Sequence, residues 1–266
     1  MPWLKRAYRG RTALRALLAL VLMWPGIAMA AAPALMPDAT ITVCPSGCMY
    51  TRIQDGINNA TPGDTVSVGA GIYNENLQLR AGVVVEGANA TTTIVDAGQR
   101  NSVVQATLGS IGASTVLRRL TLRNGRAGAG AGILIQTAAP TLQDLIIENN
   151  QAAGTGGGLA VLNGGRVVMT NSILRNNVAG TTGGALFFDY LTSGAITSSN
   201  LLNNQAQNGG GLYSANATVT ITGTLFSTNQ AAQHGGGAVF AQRSGCLLYT
   251  SPSPRDRTRS RMPSSA

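Results

Sequence analysis

One phrase recurs four times between residues 148 and 239 of this chain. It reads ENNQAAGTGGGL (148–159), RNNVAGTTGGAL (175–186), LNNQAQNGGGL (202–212) and STNQAAQHGGGAV (227–239). Aligned on the apolar residue three before the last Asn, the units place Ile147, Leu174, Leu201 and Phe226 in one slot, with Leu122 in a degenerate first unit. Aligned on the apolar residue that closes the glycine run, they place Ile133, Leu159, Leu186, Leu212 and Val239 together. Both alignments give a period of about 26 residues, which marks a stacked-repeat architecture.

The composition of each unit selects the kind of repeat. Helical repeats need ten or more residues of 3.6-residue apolar periodicity per helix. The apolar runs here are short: GILIQ (132–136), LIIEN (145–149), GLAVL (158–162), RVVMT (166–170), ALFFD (185–189) and TVTIT (218–222). Many are β-branched or aromatic, and Gly, Asn and Ser separate them, which are strand and turn signals. About three short strands fit each unit, so each unit reads as one coil of a parallel β-helix. Sharp corners need residues that take φ > 0, and Gly and Asn do so most readily. Coils stack about 4.8 Å apart. The spacing therefore predicts a hydrogen-bonded ladder through Asn150, Asn177, Asn204 and Asn229, beside an inner stack of Ile147, Leu174, Leu201 and Phe226.

The segment before the repeats carries a different pattern. YTRIQDGINNATPGD (50–64) has Ile53, Ile57 and Ala60 at helical spacing, a Thr51–Gln54 capping-box pattern and a Pro62-Gly63 stop. It predicts a short helix over about 51–60 that plugs the first coil. Short strands are expected at 65–68, 77–79, 83–86 and 94–96, with the regular repeat from about 117 to 245.

Both ends of the chain stand apart. Lys5, Arg6, Arg9, Arg11 and Arg15 precede an apolar stretch from Ala16 to Ala30 that closes on Ala28-Met29-Ala30. That is the pattern of a cleaved secretion signal over residues 1–30, cut after Ala30. The stretch is short for a bilayer span, Pro25-Gly26 interrupts it, and no second long apolar segment follows. At the other end, residues 246–266 share nothing with the repeats and resemble a translated sequencing-library adapter. The transposase end read in frame gives the Cys-Leu-Leu-Tyr-Thr-Ser of Cys246–Ser251. The expectation is a non-native tail after a natural sequence interrupted at Gly245. The whole chain has 19 Lys+Arg and 10 Asp+Glu. Setting both ends aside leaves ten arginines against nine acids, so the high pI gives no electrostatic reason for a nucleic-acid partner.

Two cysteines then remain, Cys44 and Cys48, around the turn formers Pro45-Ser46-Gly47. In an exported chain an even pair points to a disulfide, two free thiols or a lone metal-binding pair being the other readings. The single histidine, His234, leaves too few ligands for a zinc site. No cofactor or metal is expected.

The run CPSGCMYTRIQDGINNATPGDTVSVGAGIYNENLQL (44–79) resembles the opening of secreted bacterial, pectate-lyase-like proteins of the right-handed parallel β-helix type. The resemblance lies in Tyr50, Ile53-Gln54, Pro62-Gly63-Asp64-Thr65, Gly71, Tyr73 and Glu75. The repeats resemble those of polymorphic outer-membrane proteins, Phe226-Ser-Thr-Asn229 with Gly236-Gly237-Ala238-Val239 being the best match. The resemblance implies an all-β, right-handed parallel β-helix over residues 31–245 with a helical N-terminal cap. It also implies export to the cell surface, outer membrane, periplasm or medium, and contact with polysaccharide or cell-surface glycan.

Carbohydrate-active β-helices need carboxylates gathered on one face, as a calcium site or an acid–base pair. The repeat region offers Asp144, Glu148 and Asp189. In the neighbouring units Asp144 aligns with Asn171 and Ser198, Glu148 with Arg175 and Leu202, and Asp189 with Leu162 and Ala215. No carboxylate stacks on another, and no acid orients His234. Arg118, Arg119, Arg123 and Arg126 read as a solvated basic patch. Asp64 and Asp96 read as turn residues, and Asn89-Ala-Thr91 and Asn216-Ala-Thr218 fit a glycosylation pattern without a role here. No catalytic residue is assigned. The expected function is a non-catalytic exported scaffold for adhesion or carbohydrate contact. The alternative is a polysaccharide lyase or glycoside hydrolase whose catalytic coils lie beyond residue 245.

Overall fold

The structure, a computed structural model, describes residues 38–234, 236–242 and 247–250. The expected leader and its cleavage after Ala30 lie outside the described residues, as does Cys246. The described chain winds as a parallel β-solenoid with one short helix. All pairings between its named strands are parallel, and the nine strands of the largest sheet mark eight turns.

One regular coil shows the plan. Thr141–Gln143 lies in a nine-stranded sheet A, and Ile146–Glu148 in a seven-stranded sheet B. Gln151–Thr155 follows in a five-stranded sheet D and Leu159–Leu162 in a seven-stranded sheet C. Arg166–Thr170 then returns to sheet A one rung on. Each coil thus has four strands, not the three expected. The fourth is Gln151–Thr155 and its equivalents, within the Asn-to-Gly stretch that reads as a corner. Its residues are small enough to extend between two tight bends, with Ala152, Ala179 and Ala206 buried and their neighbours outside.

The registers reproduce both repeat alignments. Leu122, Ile147, Leu174, Leu201 and Phe226 pair in succession on sheet B. Ile133, Leu159, Leu186, Leu212 and Val239 do so on sheet C. On sheet A the inward column is Ile41, Val66, Val85, Leu117, Leu142, Met169, Ile196 and Ile221, all buried. Strand alternation sends every second residue inward. Stacking then gives each inward side chain an apolar neighbour above and below, which a lone coil cannot supply.

The rungs begin well before residue 117. Sheet A already holds Thr40–Val43, Thr65–Val68 and Val84–Gly87, in register with one another. The strands expected at 65–68 and 83–86 are present, and unequal offsets hide that they are rungs: Thr65 to Val84 is 19 residues and Val84 to Val116 is 32. Sheet D starts only at Arg126–Ala129, so the first coils lack its strand and their connections vary in length.

The helix spans Ile53–Asn59 and buries Ile53, Gly56 and Ile57 against the end of the solenoid. Its N-terminus is not closed by the Thr51–Gln54 box. Arg52 is the N-cap and makes no side-chain cap hydrogen bond. Instead the buried carboxylate of Glu75 accepts the N–H groups of Ile53 at 2.8 Å and Gln54 at 3.0 Å. Gln54 is freed for another task. Its Oε1 accepts the Gln78 N–H at 2.8 Å and its Nε2 donates to the Gln78 carbonyl at 3.3 Å. Gln78 lies on the terminal strand of sheet C, so one glutamine side chain stands in for the missing rung and blunts that edge.

At the far end, Leu247–Thr250 pairs with Val219–Thr222 as the ninth strand of sheet A, one rung beyond residue 245. Tyr249 donates to the Thr224 carbonyl at 3.3 Å. An open parallel edge offers backbone groups to any segment able to extend, so this pairing depends little on side-chain identity.

Core volume is balanced between columns. Phe188 is the largest fully buried side chain, and Gly194 lies beneath its ring between Val167 and Val219. A Cβ on Gly194 would sit 2.5 Å from two ring atoms. Gly194→Val is expected to cost about 1–3 kcal/mol by overpacking. Adding Phe188→Val should recover at least half of that loss. A urea double-mutant cycle with no coupling between the two sites would contradict this packing.

Candidate functional site

The four asparagines of the repeat meet inside the corner between sheets B and D. Asn150, Asn177 and Asn204 are buried. Asn150 Nδ2 donates to Asn177 Oδ1 at 3.0 Å, Asn177 Nδ2 to Asn204 Oδ1 at 3.0 Å, and Asn204 Nδ2 to Asn229 Oδ1 at 2.9 Å. Each Oδ1 also accepts the backbone N–H of the asparagine one coil earlier, at 3.0–3.2 Å. The Nδ2 groups of Asn150, Asn177, Asn204 and Asn229 also donate to the carbonyls of Leu122, Ile147, Leu174 and Leu201, at 2.8–3.2 Å. The amides of Asn177 and Asn204 thus use both donors and accept twice. The degenerate first unit has Gly125 in this slot, and its N–H donates to Asn150 Oδ1 at 2.8 Å. A Cβ there would lie 2.0 Å from the Ala131 carbonyl oxygen, so no side chain fits.

The two asparagines of each pair divide the work. The second forms the ladder; the first makes the bend. Asn124, Asn149, Asn176 and Asn203 all have φ between 54° and 59°. At the corner between sheets D and C the left-handed residues are Gly130, Gly156, Gly183 and Gly209. A Cβ at any of them would come within 2.5 Å of a backbone oxygen, so glycine is required by space as well as by φ. A third stack, at the corner between sheets A and B, has no counterpart in the sequence pattern. Leu145 N–H donates to Ser172 Oγ at 3.2 Å, Ser172 N–H to Ser199 Oγ at 3.2 Å, and Ser199 N–H to Thr224 Oγ1 at 3.4 Å. Its trace in the sequence is Ser172, Ser199 and Thr224, each one residue after a bend at Asn171, Ser198 or Gly223.

Cys44 and Cys48 are joined by a disulfide with Cα atoms 5.5 Å apart. The bridge closes a loop at the end of the first strand, where Tyr50 N–H donates to the Thr42 carbonyl.

The three candidate carboxylates do not converge. Asp144 sits at the bend between sheets A and B with φ 50° and accepts from Asn171 Nδ2. Glu148 faces outward on sheet B and pairs with Arg175, 2.6 Å to Nη2 and 2.7 Å to Nε. Asp189 follows the sheet C strand Leu186–Phe188, its backbone held by a turn to Thr192. Asp144 and Glu148 thus bracket one sheet B strand, each engaged by the coil above, and Asp189 lies past a sheet C strand. Of His234 only the backbone, at the end of Gln230–His234, is described.

The arginine cluster is largely consumed by acids. Arg118 and Arg119 clamp Glu86 at 2.7 and 2.9 Å, and Arg123 pairs with Asp96 at 2.8 Å. With Glu148 and Arg175 this makes an alternating column, Asp96–Arg123–Glu148–Arg175, up sheet B. Burial pushes the Glu86 and Asp96 carboxyls up. Hydrogen bonds and charge from Arg118 and Arg119 outweigh it for Glu86, as do the Gly98 N–H, Arg123 and Asn124 for Asp96, so both end below the ordinary range. Asp64 is lowered by the N–H groups of Thr61 and Ala39 and the Thr61 hydroxyl. Among the described residues no three His, Cys, Asp or Glu side chains group as a metal site.

The outer surface is grooved. A groove of about 250 Å³ follows the bend between sheets A and B, lined by Asp144, Ile146, Asn171, Ile173, Ser198 and Asn200. A second, of about 290 Å³, lies on sheet D between Val178, Gln205 and Gln230 on one side and Gln207 and Ala232 on the other.

A family model described as the right-handed β-helix region matches residues 81–251. Among solved structures the chain is similar to a pectin methylesterase in complex with a hexasaccharide (TM-score 0.49, 14% identity, 70% of this chain and 66% of that one). It is similar also to pectin methylesterase PemA from Erwinia chrysanthemi (0.49, 14%, 73% and 67%) and to the pectin methylesterase from carrot (0.45, 11%, 80% and 90%). The chain spans about two thirds of the length of the first two. Comparison with curated proteins finds no match.

Two outcomes are expected from this geometry. Asn177→Ala strands the Asn150 and Ile147 groups it serves, at about 1–3 kcal/mol for each buried group left unpaired. Its urea midpoint should fall well below that of Asn176→Gly, which keeps φ > 0 at the bend; equal midpoints would contradict the ladder. Carboxyls whose folded pKa is depressed stabilise the fold above their unfolded pKa and lose that contribution as pH falls through the folded value. Stability should therefore decline below about pH 4. In the Glu86→Gln/Asp96→Asn variant urea titrations should show a shallower acid limb, and an unchanged limb would refute the assignment.

Proposed function

Since the chain belongs to the right-handed β-helix family, we propose that it is an exported, non-catalytic scaffold whose outer faces contact carbohydrate at a cell surface. Export rests on the leader pattern over residues 1–30 and on the disulfide between Cys44 and Cys48, a bond that persists in oxidising compartments.

The observation that carries the non-catalytic reading is the dispersal of the acids. Acid–base cleavage of a glycosidic bond needs two carboxyls facing one bond across roughly 5–10 Å. Here Asp144 is bonded by Asn171 and Glu148 is tied to Arg175 at the two ends of one sheet B strand, while Asp189 follows a sheet C strand without either. What the exterior offers in their place is polar side chains repeated rung by rung, Asp144, Asn171 and Ser198 along one groove and Gln205 and Gln230 along another. Surfaces of that kind suit a long, repetitive ligand, because successive rungs present similar groups to successive units.

The test is binding without turnover. The full chain is expected to retain at least one polysaccharide in affinity electrophoresis across plant, fungal and bacterial glycans. Incubation with the retained glycan should release no reducing ends, unsaturated uronate or methanol. Product formation abolished by Asp144→Asn or Asp189→Asn would overturn the scaffold reading.

A further inference from the structure

The proposal above leaves open which face holds the glycan and what chemistry that glycan has. Sheet D answers both. Its outward column runs Arg126, Gln151, Val178, Gln205 and Gln230, in register. Gln207 projects from the same side two residues after Gln205, and all four glutamines are exposed. No protein group among the described residues hydrogen-bonds the side-chain amides of Gln151, Gln205, Gln207 or Gln230. The contrast with the inner asparagines, whose amides are saturated, is sharp. One amide column is spent on the fold and the other is left open.

We propose that the trough on sheet D is the carbohydrate-contact site and that it takes a neutral polysaccharide. This rests on the carbohydrate reading above. The argument from charge is direct. The strands Gln151–Thr155, Val178–Ala179 and Gln205–Asn208 carry no Asp, Glu, Lys or Arg, and Gln230–His234 adds only His234 as an ionisable residue. The one cation of the column, Arg126, lies at its head, three rungs from Gln205. A polyuronate on this face would bring a carboxylate with every sugar and meet no countercharge along the trough. Partial desolvation of those carboxylates would go uncompensated. A neutral sugar meets a better match: each amide both donates and accepts, as each sugar hydroxyl does.

Shape and spacing agree with that choice. Gln205 and Gln230 stand on adjacent rungs, about 4.8 Å apart, close to the advance of one pyranose unit in an extended chain. Between the glutamines the trough is lined by small residues, Ala179, Ala206 and Ala231, which leave room for a ring to lie flat. Val178, 36% exposed, supplies an apolar patch for a sugar's C–H face.

The experiment uses the full chain and isothermal titration with matched hexasaccharides: cellohexaose, mannohexaose and xylohexaose as neutral probes, hexagalacturonate as the acidic one. At least one neutral probe should bind. Gln205→Ala/Gln230→Ala should weaken it by about tenfold or more, the equivalent of two lost hydrogen bonds, with circular dichroism and melting unchanged. Gln143→Ala, on sheet A, should leave binding intact. Binding of hexagalacturonate alone would overturn the neutral-ligand proposal while leaving carbohydrate contact standing. Binding of none of the four would overturn the neutral-ligand proposal, while carbohydrate contact itself would fall only if the full glycan panel were also not retained. Neutral binding undiminished in the double variant would remove the trough as the site.

Discussion

Parallel stacking is the constraint on which everything else depends. In a solenoid the backbone N–H and C=O groups of each strand point to the coils before and after, so a residue's place is fixed by what stands one coil away. That condition turns a sequence period into vertical columns. It also means that a polar group buried at a corner must find its partner in the next coil or go unpaired. The asparagine column meets this demand with one residue type. An amide has two donors and can accept twice, so it can serve the coil on either side and the carbonyl beside it. The column therefore continues only while the repeat keeps its register, which ties the conformation of each corner to the length of each coil.

How much of this was legible in the sequence follows from the same constraint. Columns whose residue types recur at constant offset could be read directly: Ile147 over Leu174 over Leu201, or Leu159 over Leu186 over Leu212. Features with variable offset could be read as strands, at 65–68, 77–79, 83–86 and 94–96, but not as rungs. The rungs at Thr40, Thr65 and Val84 are as regular in space as the later ones, but loops of unequal length separate them. Sheet D was hidden for a different reason. Alanine, glutamine and glycine have weak strand preference, and Gln151–Thr155 extends because the bends at Asn149 and Gly156 leave it no shorter path. The Glu75 carboxylate that caps the helix stands 22 residues from Ile53, beyond any local capping rule.

The same logic separates fold from function on this chain. Inward positions answer to the neighbours above and below, and Phe188 over Gly194 shows how tightly. Outward positions answer only to solvent, ligands and one another. On sheet B the outward charges answer to one another, Asp96 with Arg123 and Glu148 with Arg175, and little is left over for a partner. On sheet D the outward amides make no such internal use of themselves. A surface that is repetitive, uncharged and unspent is the kind the fold can vary without cost to its own stability.

The most direct measurement of the central claim is hydrogen exchange of the side-chain amides, read by NMR. The Nδ2 protons of Asn150, Asn177 and Asn204 are buried and each bonded to the next coil, so they should exchange orders of magnitude more slowly than those of Asn149, Asn176 and Asn203 at the bends. If both sets exchanged at the same rate, the asparagines would not be holding the coils in register, and the account built on them would fail.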